Sequence, residues 1–139
     1  MSDPFDLQRF VDAQRNTYDR ALAELRAGQK RTHWMWFVFP QIAGLGRSAT
    51  AQHYAISGAD EARAYLAHPV LGPRLVECAR ALTDLDVDDP AQVMGSIDAQ
   101  KLRSSMTLFA VAAPDEPVFS AVLDQYFGGA EDAGTTSRL

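Results

Sequence analysis

The chain carries a single cysteine, Cys78, three histidines and only two lysines, Lys30 and Lys101, among its 139 residues. One cysteine excludes an internal disulfide and a cysteine-built zinc site. Within an Ala/Leu/Val-rich pattern, Cys78 reads as a small buried hydrophobe. His33, His53 and His68 show neither HxxxH nor HExxH spacing, so no metal is expected, nor any other cofactor. His68, at a helix end before Pro69, would most simply bond a free carbonyl. No run of about 18 apolar residues is present to span a membrane. The N-terminus MSDPFDLQRF has no basic-then-apolar signal, so a cytoplasmic protein without membrane contact is the expectation. A net charge of −5 is the wrong sign for a phosphate backbone, and no nucleic-acid partner is expected.

What is present is an even spread of apolar residues, 47% of the chain, which excludes wholesale disorder. The length suits one domain over residues 1–139. Its ordered core is expected over about 5–127, with 128–139 as a loosely attached tail. Leu7, Phe10, Val11, Tyr18, Ala21, Leu22 and Leu25 recur at helical spacing, predicting a helix over 6–27 that Pro4 and Gly28 punctuate. Gln14 stands inside that apolar stripe and must find partners. Further helices are predicted from Ser57 to His68, over LGPRLVECARALTDL to about Leu85, around Pro90, over 96–113 with Ser96 as N-cap, and over DEPVFSAVLDQYFGG. The fold class is therefore all-α, about six or seven helices in one orthogonal or irregular bundle.

Two stretches bear chemistry. The string HWMWFVFPQIAGLGRS, residues 33–48, joins an apolar aromatic run to a glycine loop. Its GLGRSA fits G-x-G-x-x-A, but Pro40 and Gln41 separate the run from Gly44 and no second strand follows, so a dinucleotide fold is excluded. Turn chemistry remains, or a loop whose backbone N–H groups hold an anion beside Arg47 and Ser48. In the helix 96–113, Asp98, Lys101 and Ser105 share one inward arc between two apolar strips, while Gln100, Arg103 and Thr107 face the other way. This arc is either a partly buried ion pair with Ser105 bonding back to its own helix, or the wall of a cleft.

The strings RFVDAQ, ELRAGQKRTHWMWFVFPQIAGLGRS, EARAYLAHPVLGPRL and DAQKLRSSMTLF, in this order, resemble the uncharacterised bacterial domain-of-unknown-function family 1810, from about Phe10 to about Phe127. The resemblance implies a single, mainly helical domain and supplies no activity. A calpastatin label attached to some relatives is not supported, because Pro-rich disordered repeats are missing. The family's signature positions map onto Gln14, Tyr18, Lys30, His33, Trp34, Trp36, Pro40, Gln41, Gly44, Gly46, Ser48, Tyr54, His68, Asp98, Lys101, Ser104, Ser105 and Thr107.

The function expected is a cleft for a nucleotide-like or phosphorylated ligand, a small polar or anionic molecule. Trp34 or Trp36 would stack on its planar part, Gln41 would read a polar edge, and Lys101 with Arg47 would balance charge. His33, Gly44, Gly46, Ser48 and Ser104 complete the candidate lining, and Asp98, Lys101 and Ser105 are the candidates for catalysis. The alternative is a helical protein–protein interaction module without catalysis. Whether a reaction occurs, and in what oligomeric state, the residues leave open.

Overall fold

The computed structural model describes residues 3–139. Helix formation begins at α1 (Gln8–Gln14), where the Asp3 carboxylate accepts the free Leu7 and Gln8 N–H groups at 2.8 and 3.1 Å. The helix predicted over 6–27 is two helices, for α2 (Tyr18–Arg26) starts afresh after a tight turn. At the break the Thr17 N–H reaches Gln14 only three residues back, at 3.0 Å. Gln14 sits there, 1% exposed, its amide donating to the Phe37 carbonyl (2.7 Å) and the Tyr65 hydroxyl (3.1 Å). Its need for long-range partners fixes where the chain bends.

The aromatic run becomes one turn, α3 (Met35–Val38), and α4 (Ala49–His53) follows the glycine loop. A parallel bridge between Ile42 and Ile56 closes that loop, with Ala43 and Ile56 N–H groups donating across it at 2.8 Å. Then come α5 (Ala59–Ala67), α6 (Leu71–Thr83), α7 (Pro90–Met94), α8 (Ser96–Ala112), α9 (Pro117–Phe127) and α10 (Ala133–Thr136). Ten helices therefore stand among the described residues where six or seven were expected, in one compact all-helical domain. The excess is in pieces of one turn and in the split first helix, too short for a 3.6-residue period to register.

The long helix α8 lies centrally, packed on α5, α7, α9 and α10, while α6 packs on α2, α5 and α9. Every residue from Ser104 to Phe109 is buried, so α8 is covered on all sides rather than amphipathic. A relay of rings runs through the core, Phe10 to Tyr65 at 5.1 Å, Tyr65 to Phe109 at 5.4 Å and Phe109 to Phe119 at 5.7 Å. Such pairs add roughly 0.5–1.5 kcal/mol each beyond their burial.

Segment 128–139, expected as a loose tail, covers the face of α8 that the helical wheel assigned to solvent. Arg103 donates to the Ala130 and Glu131 carbonyls at 3.0 and 2.8 Å. The Thr107 hydroxyl accepts the Asp132 N–H at 2.9 Å, and Ser104 donates to the Asp132 carboxylate at 3.1 Å. Asp132 also caps α10. Polar bonds fasten this segment, which its sparse apolar residues could not announce.

His68 corrects another expectation. Its Nδ1 accepts the Val70 and Leu71 N–H groups at 3.1 and 3.2 Å, serving the start of α6 rather than a carbonyl at the end of α5. Likewise Ser57 does not cap α5; its N–H donates to Glu61 at 2.8 Å, and Gly58 occupies the cap.

Candidate functional site

The site is built where α2 ends. Gly28 takes a positive φ of 78°, and the Gln29 N–H returns to the Glu24 carbonyl at 3.1 Å, a glycine-terminated helix end. The chain then wraps around the buried Glu24 carboxylate. Its Oε1 accepts the Arg31 N–H (2.7 Å), the Thr32 N–H (3.0 Å) and the Trp34 indole N–H (2.9 Å), while Oε2 accepts the Thr32 hydroxyl at 2.7 Å. Burial by itself would raise the Glu24 pKa, but these four donors outweigh it and bring the carboxyl down to about 2.

This clasp aims Lys30 at α8. The Lys30 backbone N–H donates to Val93 at 2.7 Å, and its ammonium donates to the Thr32 carbonyl at 2.6 Å. The same ammonium meets Asp98 Oδ2 at 2.8 Å and lies 5.0 Å from the Trp34 ring centroid, its side chain only 6% exposed. Lys101 approaches the same carboxylate from one helical turn on, 3.6 Å from Oδ1, and rests 4.9 Å over the ring of Trp36. Two cations thus converge on one anion between two tryptophans.

Beside them opens a cleft of about 350 Å³, walled by Lys30, His33, Trp36, Asp98 and Lys101, with Met35 and Met94 as apolar floor. Gly95, Ser96 and Ile97 border it at the start of α8. Gly95 has φ of 82° and brings no capping side chain, so α8 begins without a side-chain cap. The first N–H groups of a helix carry partial positive charge, and here they adjoin two lysines. The chemistry on offer is attraction of a small anion, an aromatic surface, and the exposed His33 imidazole at the rim.

Of the sequence-derived candidates, His33, Trp36, Asp98 and Lys101 line this cleft. Lys30, absent from the candidate set, joins them; that it is one of two lysines was the available signal. Trp34 is elsewhere, fully buried on Glu24. The glycine loop turns away toward the C-terminal segment: a Cβ on Gly44 would stand 2.8 Å from Arg138 Nε, and Leu45 packs on Gly134. Neither Gln41, Gly46 nor Arg47 lines the cleft. The Ser48 hydroxyl accepts the Ala51 N–H at 3.1 Å as the cap of α4. Ser104 returns to the Gln100 carbonyl at 3.1 Å and holds Asp132.

Ser105 neither bonds back to its helix nor reaches the cleft. Its hydroxyl is fully buried and has no hydrogen-bond partner among the described residues. An orphaned buried hydroxyl costs about 1–3 kcal/mol of desolvation. Ser105→Ala is therefore expected to leave thermal stability unchanged or raise it by up to about 1 kcal/mol. A clear loss on thermal denaturation would show that the hydroxyl has an internal partner.

The sequence profile of the family described as "Protein of unknown function (DUF1810)" matches residues 4–139, which extends the likeness into the C-terminal segment. No curated protein matches the chain. Among solved structures, the chain is similar to the conserved hypothetical protein Rv1873 from Mycobacterium tuberculosis. The two are 51% identical, with 99% of this chain and 98% of that one covered and a TM-score of 0.97. With the family profile matched over residues 4–139, the chain belongs to the DUF1810 family.

Proposed function

We propose that the chain is a small-molecule-binding protein whose cleft at the start of α8 takes a small anionic ligand with a planar part, of the nucleotide-like or phosphorylated kind. The observation that carries this is the unequal use of the two lysines. Lys30 is satisfied by a carbonyl, a carboxylate and a ring face, and its side chain is buried. It neutralises Asp98 and holds the wall of the cleft in place. Lys101 has only a long contact to Asp98 and a stacking contact on Trp36, at 26% side-chain exposure. An ammonium has three donors, and those of Lys101 are largely unspent. A phosphoryl or carboxylate oxygen entering the cleft would collect them beside the uncapped N–H groups of α8. The planar part would take over the Trp36 face that Lys101 covers. The cleft volume stands at the lower end of small-molecule sites, roughly 300–1,000 Å³. The interaction-module alternative is less well supported: of the most exposed large apolar side chains, Val70 and Leu139 stand on other segments, while Ile97 and Val111 lie at opposite ends of α8, roughly 20 Å apart along its axis.

Thermal-shift measurement against nucleotides, sugar phosphates and inorganic phosphate tests the proposal. A binding class at a hundredfold its Kd should stabilise by about 2.7 kcal/mol. Lys101→Ala should abolish that response while costing no more than about 1 kcal/mol of intrinsic stability, as for a loose, partly exposed ion pair. A panel that shifts nothing at millimolar concentration would sink the proposal, as would a response that Lys101→Ala leaves intact.

A further inference from the structure

We propose that a second cleft, between the end of α2, the outer face of α6 and the turn joining α8 to α9, binds a small polyanion, with Arg74 as its fixed anchor. This cleft measures about 840 Å³ and is bordered by Arg26, Arg74 and Arg80 together with Glu77, Asp84 and Glu116. Counting signs alone, the border is balanced. Two of the three acids, however, are committed elsewhere, which leaves Asp84 alone against Arg74 and Arg80. Glu77 accepts a hydrogen bond from the Tyr18 hydroxyl and pairs with Arg26 at 3.7 Å. Glu116 accepts the Val118 N–H at 3.2 Å as the cap of α9. Among the described residues no carboxylate lies within ion-pair distance of Arg74 or Arg80.

Arg74 is held as a receptor group would be. Its guanidinium stacks on the Tyr18 ring, 4.6 Å from the centroid, and donates from Nη1 to Gln14 Oε1 at 3.3 Å. Both supports are themselves buried and tied down, Gln14 through Phe37 and Tyr65, Tyr18 through Glu77. Burial and then the bond to Glu77 push the Tyr18 phenol far up, so it remains a protonated donor that occupies Glu77. One of five guanidinium N–H groups is used on Gln14, leaving the rest to fork onto an oxyanion. A cation whose orientation is already fixed loses little entropy on binding. This assigns a task to the two polar residues of the first helical stretch, Gln14 and Tyr18, that the cleft at α8 does not use. Arg80, about 1.7 turns further along α6, would meet a second charged group. The ligand chemistry is accordingly two or more oxyanion groups on one small molecule, phosphoryl or carboxylate.

Calorimetric titration of the full chain at low ionic strength tests this, with inorganic pyrophosphate and citrate as separate probes. Saturable binding of pyrophosphate alone assigns a phosphoryl ligand, and of citrate alone a polycarboxylate. In a Lys101→Ala background, which takes the cleft at α8 out of the measurement, Arg74→Gln is expected to weaken the binding at least tenfold and Arg80→Gln several-fold. Should Arg74→Gln fail to fold, the exposed Arg80→Gln decides the matter. Binding that survives both arginine changes, or that Lys101→Ala removes, overturns the proposal. So does the failure of both probes to saturate the wild-type chain. Loss of the Lys101-dependent thermal shift, by contrast, would count only against the cleft at α8.

Discussion

Glu24→Leu should lower stability by about 4 kcal/mol, because it strands four donors that converge on one buried carboxylate. Each orphaned donor costs about 1–3 kcal/mol, and the total falls short of the sum because the loop can open to water. For a chain of this length the melting midpoint should drop by roughly 12–20 °C. Glu24→Gln should be milder, about 1–2 kcal/mol, since the amide oxygen keeps the three bonds to Oε1, while the charge and the acceptor for the Thr32 hydroxyl are lost. The pH profile separates the two contributions. The folded carboxyl sits at about 2, below the ordinary 4.5, so ionised Glu24 stabilises the fold fully above pH 4.5. That contribution drains away as the pH falls from 4.5 toward 2, and Glu24→Gln should lack it. Urea denaturation of the three proteins between those limits is the measurement. Parallel pH profiles for wild type and Glu24→Gln would refute the account. Lys30 and His33 ride on the same loop, so Glu24→Leu should also loosen the wall of the cleft at α8.

The Glu24 clasp also shows what the sequence could and could not convey. Trp34 and Trp36 are alike by composition and spacing, yet one is fully buried and the other lines a cleft. What separates them is an acid on α2 that captures the Trp34 indole, a contact invisible to local pattern. In the same way the wheel brought Asp98 and Lys101 to one face of α8, but Lys30 arrives from a distant loop. Long periodic helices such as α6 and α9 were readable because their burial repeats every turn. The fate of the glycine loop was not, because its packing partner is the C-terminal segment. Arg103 and Thr107 were misplaced for a related reason: a polar face reads as solvent-facing until another polar segment covers it.

Gly72→Ala should cost at least about 3–5 kcal/mol, against the gain of roughly 1 kcal/mol that helix propensity alone would give. Gly72 is buried in the first turn of α6, where that helix crosses the end of α5. A Cβ there would stand 2.0 Å from the Leu66 carbonyl oxygen and 2.9 Å from its carbon. Both are backbone atoms, so no side-chain rotation relieves the clash. Nor can the helices part freely, because the short His68–Pro69 turn joins them and the Gly72 N–H donates to the His68 carbonyl at 3.1 Å. Gly58 provides the contrast: nothing lies within 4 Å of its would-be Cβ, and its φ of 168° is extended backbone. Gly58→Ala should therefore be close to neutral, the stiffer unfolded chain offsetting alanine's weakness at the N-cap of α5. Chemical denaturation of both variants decides between backbone proximity and propensity, which here predict opposite signs. A Gly72→Ala protein as stable as wild type would mean that α5 and α6 can separate without loss. The cleft that Gly72 and Arg74 share would then be a compliant surface, and Arg74 would lose the rigid support on which its anchoring role depends.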